Sequence, residues 1–168
     1  LLLNKENNVK IGAWFSINYC ANGFVNNPEA NVDAFTEDGW FKTGDIAVID
    51  KVGNLTITGR YKDVISRGGV KFNPADIEDL IMEHPNVEEA AIVPMPDPIL
   101  GEKACCFVTL TVDATLKLED LCELLDKKKI SKNKWPEQLE IIDEMPLTPT
   151  RKVIKGKLIE KLQLLNLS

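Results

Sequence analysis

Gly59-Arg60-Tyr61-Lys62-Asp63-Val64-Ile65-Ser66-Arg67-Gly68-Gly69-Val70-Lys71-Phe72-Asn73-Pro74 is the stretch on which the fold turns. Its first third is short and polar, so we place a domain boundary there, giving domains at 1–61 and 62–168. Val64-Ile65-Ser66 then reads as a strand, and Gly68-Gly69 forces a turn because glycine tolerates positive φ. Asn73-Pro74 opens a helix: an asparagine can accept free amides, and proline suits the first helical position. Ile77, Leu80 and Ile81 recur at three-and-four spacing and predict the buried stripe of that helix, which Pro85 ends. Further on, residues 87–94 are apolar and β-branched and predict a strand. Ala104, Cys106, Val108, Leu110 and Val112 alternate, which predicts a second strand buried on one face. Leu118, Leu121, Cys122 and Leu125 predict an amphipathic helix, residues 139–142 a third strand, and Ile154, Leu158, Ile159 and Leu162 a terminal helix. The order after residue 63 is therefore a turn followed by α-β-β-α-β-α.

Upstream of the boundary, residues 46–50 and 55–58 predict two short strands, and Lys51-Val52-Gly53-Asn54 joins them as a hairpin. Residues 28–35 predict a short helix with a weak apolar face. Residues 1 to about 30 show little pattern, with turn signals at Asn22-Gly23 and Asn26-Asn27-Pro28. The expected class is α+β: a small mixed sheet covered by helices, preceded by a short β-rich segment.

The chain has 168 residues, 44% of them hydrophobic and 27% charged, which is ordinary for a globular protein. A net charge of −6 argues against a nucleic-acid surface. The basic cluster Lys127-Lys128-Lys129 with Lys132 and Lys134 reads as a helix C-terminus and a solvated loop. Cys20, Cys105, Cys106 and Cys122 have neither metal-ligand nor small-scaffold disulfide spacing. Free buried thiols in a reducing compartment, the cytoplasm by default, are expected, with Cys105 and Cys106 facing opposite sides of their strand. Leu1-Leu2-Leu3 is too short for a signal peptide or membrane span. His84 has no catalytic partner at a recognisable spacing and reads as helix-end structure. Trp135 reads as packing, and no protein-held metal is expected.

Two segments carry chemistry. Asp38-Gly39-Trp40-Phe41-Lys42-Thr43-Gly44-Asp45 places a carboxylate after a tight Thr-Gly turn, where it can accept two hydroxyl hydrogen bonds. Arg60 follows a glycine and offers a rigid fork of donors for a phosphate or sugar. Either could instead be plain structure: a turn aspartate serving its own backbone, or a surface salt bridge.

These segments resemble the acyl-adenylate-forming superfamily, the acyl- and aryl-CoA ligases, luciferases and peptide-synthetase adenylation domains, from about Gly23 to Leu162. Gly23-Phe24 with Asn27-Pro28-Glu29-Ala30 resembles the segment before the family's ribose loop, and residues 38–45 resemble that loop. Gly59-Arg60-Tyr61-Lys62-Asp63 resembles its hinge. Gly68-Gly69-Val70-Lys71 with Ile77-Glu78 resembles the turn and helix after the hinge. Pro146-Leu147-Thr148-Pro149-Thr150-Arg151-Lys152 resembles the terminal catalytic-lysine loop. Several motifs in register are far more specific than one.

The resemblance implies the fold of a small C-terminal lid domain behind the end of a large adenylation domain. It implies that Asp45 and Arg60 hold the ribose and phosphate of ATP, and that Lys62 is the hinge between adenylating and thioester-forming orientations. It implies that Gly68 and Gly69 line the path of the pantetheine arm of coenzyme A, with Lys71 beside a CoA phosphate or simply in solvent. Lys152 is implied to stabilise charge gathering on the reacting oxygens during adenylation. ATP with magnesium, held mainly by the large domain, CoA and a small carboxylic acid follow as substrates. Arg151 departs from the family, which usually has glycine before the lysine. The Ser/Thr/Gly-rich phosphate loop of the large domain is not found before residue 23. The expectation is thus the C-terminal portion of an acid–CoA ligase, inactive alone and self-associating through exposed strand edges near its N-terminal end. A domain that loads a carrier protein, and a non-catalytic binding or regulatory domain, are the alternatives.

Overall fold

A computed structural model of the chain describes the backbone of residues 11–16 and the whole of residues 23–165. Leu1-Leu2-Leu3, Cys20 and Asn22 lie outside the described residues. The chain divides into two compact units, Leu1–Lys62 and Asp63–Ser168.

In the first unit, β1 (Ile11–Ser16), β2 (Trp40–Ile49) and β3 (Leu55–Arg60) form an antiparallel sheet in that order. Helix α1 (Pro28–Ala34) precedes β2; the Asn27 side chain accepts from Ala30 N at 3.1 Å, and Pro28 takes the first turn. Strand β1 falls in the segment expected to be unpatterned. Its period-2 signal is cut by Gly12, and its pairing with β2 is what makes it a strand. Strand β2 starts six residues earlier than the predicted 46–50, so the Thr43-Gly44 turn is in fact a bulge inside a strand. Gly12 faces Ile46 and Trp14 faces Lys42, so Thr43-Gly44-Asp45 stand opposite one residue, with Gly44 at φ +73°. Strand β3 likewise runs on through Arg60 instead of being released at Gly59.

The second unit holds a sheet in the order β5-β4-β7-β6, with β8 also paired to β7. Strands β4 (Ile65–Arg67) and β5 (Val70–Phe72) make a hairpin about Gly68-Gly69. β5 was not anticipated, since three residues are too few to show a period. Helix α2 (Ala75–Ile81) follows Asn73, whose side chain accepts from Ala75 N at 3.3 Å. Strands β6 (Val87–Asp97) and β7 (Gly101–Leu110) pair along nearly their whole length. Helix α3 is Leu118–Lys127, β8 (Gln138–Ile141) runs parallel to β7, and α4 is Lys155–Leu165.

The alternation in β7 predicts one buried face, but both faces are buried. Ala104, Cys106 and Val108 enter a core with Ile77 and Ile81 of α2 and Leu121 and Leu125 of α3. Cys105 and Phe107 enter a second core with Leu158 and Leu162 of α4. A strand covered on both sides carries a continuous apolar run, as residues 104–108 do. The two cysteines do face opposite sides. Burial pushes the Cys105 thiol up to about 12 and raises that of Cys106 further, so both are inert filling. Trp135 packs on the first core and donates from its indole to Ile130 O at 2.9 Å. His84 sits at the end of α2, its Nδ1 accepting from Asn86 N at 3.2 Å.

Candidate functional site

Each unit carries its own part of the candidate site. In the first, the hairpin register sets Asp45 directly opposite Arg60. Fifteen residues apart in sequence, they are cross-strand neighbours, and Arg60 Nε donates to Asp45 Oδ1 at 3.3 Å. The Gly44 bulge re-aims Asp45, and the Thr43 hydroxyl accepts from Asp45 N at 3.0 Å. The Arg60 side chain is 54% exposed and that of Asp45 29%. Such an ion pair contributes about 1 kcal/mol or less, so a ligand offering hydroxyls or phosphate oxygens can replace it at little cost. Lys62 sits in a short 3₁₀ turn, Tyr61–Asp63, where the first unit gives way to the second along the chain, and is exposed to solvent.

In the second unit, Gly68 and Gly69 form the tip of the β4–β5 hairpin, at φ +55° and +83°. Gly68 N donates to Leu100 O at 2.8 Å, tying the tip to the β6–β7 turn. That turn is organised by Asp97, which accepts from Leu100 N at 2.8 Å and Ile99 N at 3.0 Å and pairs with Lys103. The Lys103 ammonium and the two amides hold the Asp97 carboxyl well below its usual value, at about 2. Arg67, next to the tip, forms an ion pair with Glu137, whose other oxygen accepts from Ala104 N at 2.9 Å. Lys71 is exposed on β5.

The Lys152 loop belongs to the other core. Leu147 and Val153 flank it, bridge to each other and pack against the α4 side of the sheet. Between them the backbone closes on itself. Thr148 N donates to Lys152 O and Arg151 N to Thr148 O, both at 2.8 Å, and Lys152 N donates to the Thr148 hydroxyl at 3.0 Å. Ile154 N donates to Pro146 O at 2.7 Å. Arg151 sits at φ +60°, the conformation in which the glycine expected there would be unstrained. Lys152 is exposed, and its ammonium has no ion-pair partner among the described residues.

Sequence reading missed Lys155 and, as a site residue, Glu78. Ile92 N donates to Glu78 Oε1 at 2.6 Å, and Lys155 Nζ donates to that same oxygen at 2.7 Å and to Ile92 O at 3.1 Å. A signal was present: Lys155 stands at the head of the stripe continued by Leu158, Ile159 and Leu162, where an apolar residue is expected. Among the described residues no three His, Cys, Asp or Glu side chains come together to hold a metal ion. No helix among them is long and apolar enough to cross a membrane.

Residues 76–152 match the AMP-binding enzyme C-terminal domain family. The chain is 36% identical over 134 residues to the medium-chain fatty-acid–CoA ligase of Escherichia coli K12, covering 79% of this chain and 24% of that protein. It is 39% identical over 140 residues to a Streptomyces salicylyl-CoA synthase / salicylate adenylyltransferase, covering 83% and 25%. ATP-bound MatB from Rhodopseudomonas palustris superposes with a TM-score of 0.76 at 32% identity, over 83% of this chain and 27% of that one. The chain thus spans about a quarter of the length of the relatives it matches. Fold and sequence agree: residues 76–152 are the C-terminal domain of an AMP-binding enzyme, and the relatives and solved neighbours of the chain are adenylate-forming enzymes.

Proposed function

We propose that the chain is the C-terminal portion of an ATP-dependent carboxylic acid–CoA ligase. In the first half-reaction a carboxylate oxygen attacks the α-phosphorus of ATP, and pyrophosphate leaves with the bonding pair. In the second, the CoA thiol gives up its proton and attacks the acyl carbonyl, and AMP leaves. Asp45 and Arg60 serve the ribose and phosphate, Lys152 the first half-reaction, Gly68 and Gly69 the second, with Lys71 beside a CoA phosphate. Lys62 is the hinge that alternates them. The observation that carries this reading is Lys152: an exposed ammonium with no ion-pair partner among the described residues, on a turn tied down at the Thr148, Arg151 and Lys152 amides. A free cation held in place stabilises developing negative charge in the transition state without reorganisation at the moment of reaction. Magnesium would accompany ATP and be bound by residues beyond this chain.

The names of the relatives favour fatty or aryl acids as substrates and CoA as acceptor. The pairing of a CoA synthase with an adenylyltransferase in one relative's name keeps transfer to another thiol, such as a carrier protein's arm, as the second reading. ATP–pyrophosphate exchange over a panel of fatty and aryl acids tests the proposal, run on this chain and on the longest protein encoded with it. Exchange in the longer protein alone is the expected result. Exchange in neither, with binding of AMP retained, would point to a non-catalytic domain instead.

A further inference from the structure

Strand β6 is an edge strand: β7 pairs along one side of it, and no strand among the described residues pairs along the other. At its middle, Ile92 is fully buried. Its N–H and C=O are met by Glu78 and Lys155, which also meet each other. A buried edge peptide needs such partners, since unpaired polar groups there are costly. These two come from helices on opposite faces of the sheet, α2 on the first core and α4 on the second. The pair is largely shielded, at 14% and 21% side-chain exposure. It therefore clamps the two helical layers together around the edge of β6.

Lys155 is also the first residue of α4, three residues after Lys152. Between them Ile154 N is bonded to Pro146 O, and Lys157 N to Ile154 O. Little slack separates the clamp from the loop. We propose that Glu78 and Lys155 are positioning residues that hold the Lys152 loop at a fixed height on the sheet edge, and so tune the adenylation half-reaction selectively. This rests on the reading of Lys152 given above. The Gly68-Gly69 tip is anchored separately, through Leu100 and the Arg67–Glu137 pair, so the clamp does not serve it.

Two measurements test this together. Amide hydrogen exchange on this chain comes first. Lys155→Met, which keeps the side-chain length and removes the charge, should speed exchange at Thr148, Arg151 and Ile154 about tenfold or more. The amides of α3 should not change, and Lys155→Arg should restore protection. Loop amides unchanged in Lys155→Met, or sped up equally with those of α3, would overturn the clamp. Half-reaction kinetics on the longer ligase come second. Lys155→Met and the milder Glu78→Gln should lower the kcat of exchange, by up to about 10²-fold as expected for a displaced reacting group. Thioester formation from preformed adenylate should stay within about twofold on the same scale. Equal loss of both half-reactions would reduce the pair to a structural brace and overturn the proposal. Lys152→Ala distinguishes the two levels: if it leaves exchange intact, the reading of Lys152 itself fails, whereas loss in Lys152→Ala without loss in Lys155→Met rejects only the clamp.

Discussion

The glycine tip of the β4–β5 hairpin and the Lys152 loop ask the same thing of their backbones and receive it from different residues. Gly68, Gly69 and Arg151 all sit at positive φ. At the tip, glycines take that conformation at no steric cost, and the tip is tied down beside them, by the Gly68 N bond to Leu100 O and the Arg67–Glu137 pair. In the loop, an arginine takes it, at a cost on the order of 1–2 kcal/mol. There the Thr148 hydroxyl, two backbone bonds across the turn and the clamp behind it hold the strained form. Strain in a native protein persists where its surroundings over-determine it, and such places cluster at functional sites. The tip is thus permissive and the loop enforced, which suits a turn that must admit a long arm and a turn that must present one charge.

The comparison breaks most sharply at Lys152. Lys152→Ala in the longer ligase should cost adenylation on the order of 10²- to 10³-fold and largely spare thioester formation; pyrophosphate exchange beside transfer from preformed adenylate reads both, and equal loss would mean the two turns do not divide the labour. Next is Gly69→Ala. Its two chain neighbours aside, no atom lies within 4 Å of a Cβ added there, so the effect expected is backbone strain. Destabilisation of about 1–2 kcal/mol is expected in urea unfolding of this chain, from the φ of +83° alone. An unchanged midpoint would show that the tip relaxes freely.

Arg151→Gly runs the other way. Relief of strain, reduced by glycine's greater entropy loss on folding, should leave a net gain of about 1 kcal/mol or less in the same assay. A loss would mean that the arginine side chain contributes contacts that outweigh its strain. The smallest effect is on acidity. The Asp97 carboxyl is held at about 2 against an ordinary 3.8, so its contribution to stability is complete above about 4 and fades as pH falls towards 2. Between pH 4 and 2 the Leu100 and Gly68 amides should lose protection from hydrogen exchange in the native chain and lose it less steeply in Asp97→Asn. Protection at Arg151 and Ile154 should not follow Asp97, and a common acid response at both turns would erase the distinction between their supports.

Much of this was legible along the chain, for a physical reason. The stripes of α2, α3 and α4 were readable because a helix that covers a sheet must repeat its apolar residues every three or four positions. The segment around Lys152 stood out by its resemblance to a known motif, and its prolines and threonines fit a defined turn; the positive φ of Arg151 did not stand out, since arginine takes that conformation only under strain. Strand limits were harder. Strand β1 and the start of β2 are specified by pairing with each other across about thirty residues, and a bulge at Gly44 looks like a turn when read locally. The double burial of β7 depends on helices from both sides, and alternation alone could not reveal it.

What the sequence determined by itself was therefore the local chemistry: which stretches form helices, where glycines permit a tight turn, and which cations and carboxylates come within a motif. What only the tertiary structure decided was which of them meet. Asp45 reaches Arg60 because the hairpin register places them opposite each other. Glu78 reaches Lys155, seventy-seven residues away, because two helices on opposite faces close around one buried peptide at the edge of β6. Such contacts arise from the topology that brings separate elements to one edge, and no local pattern of residues encodes them.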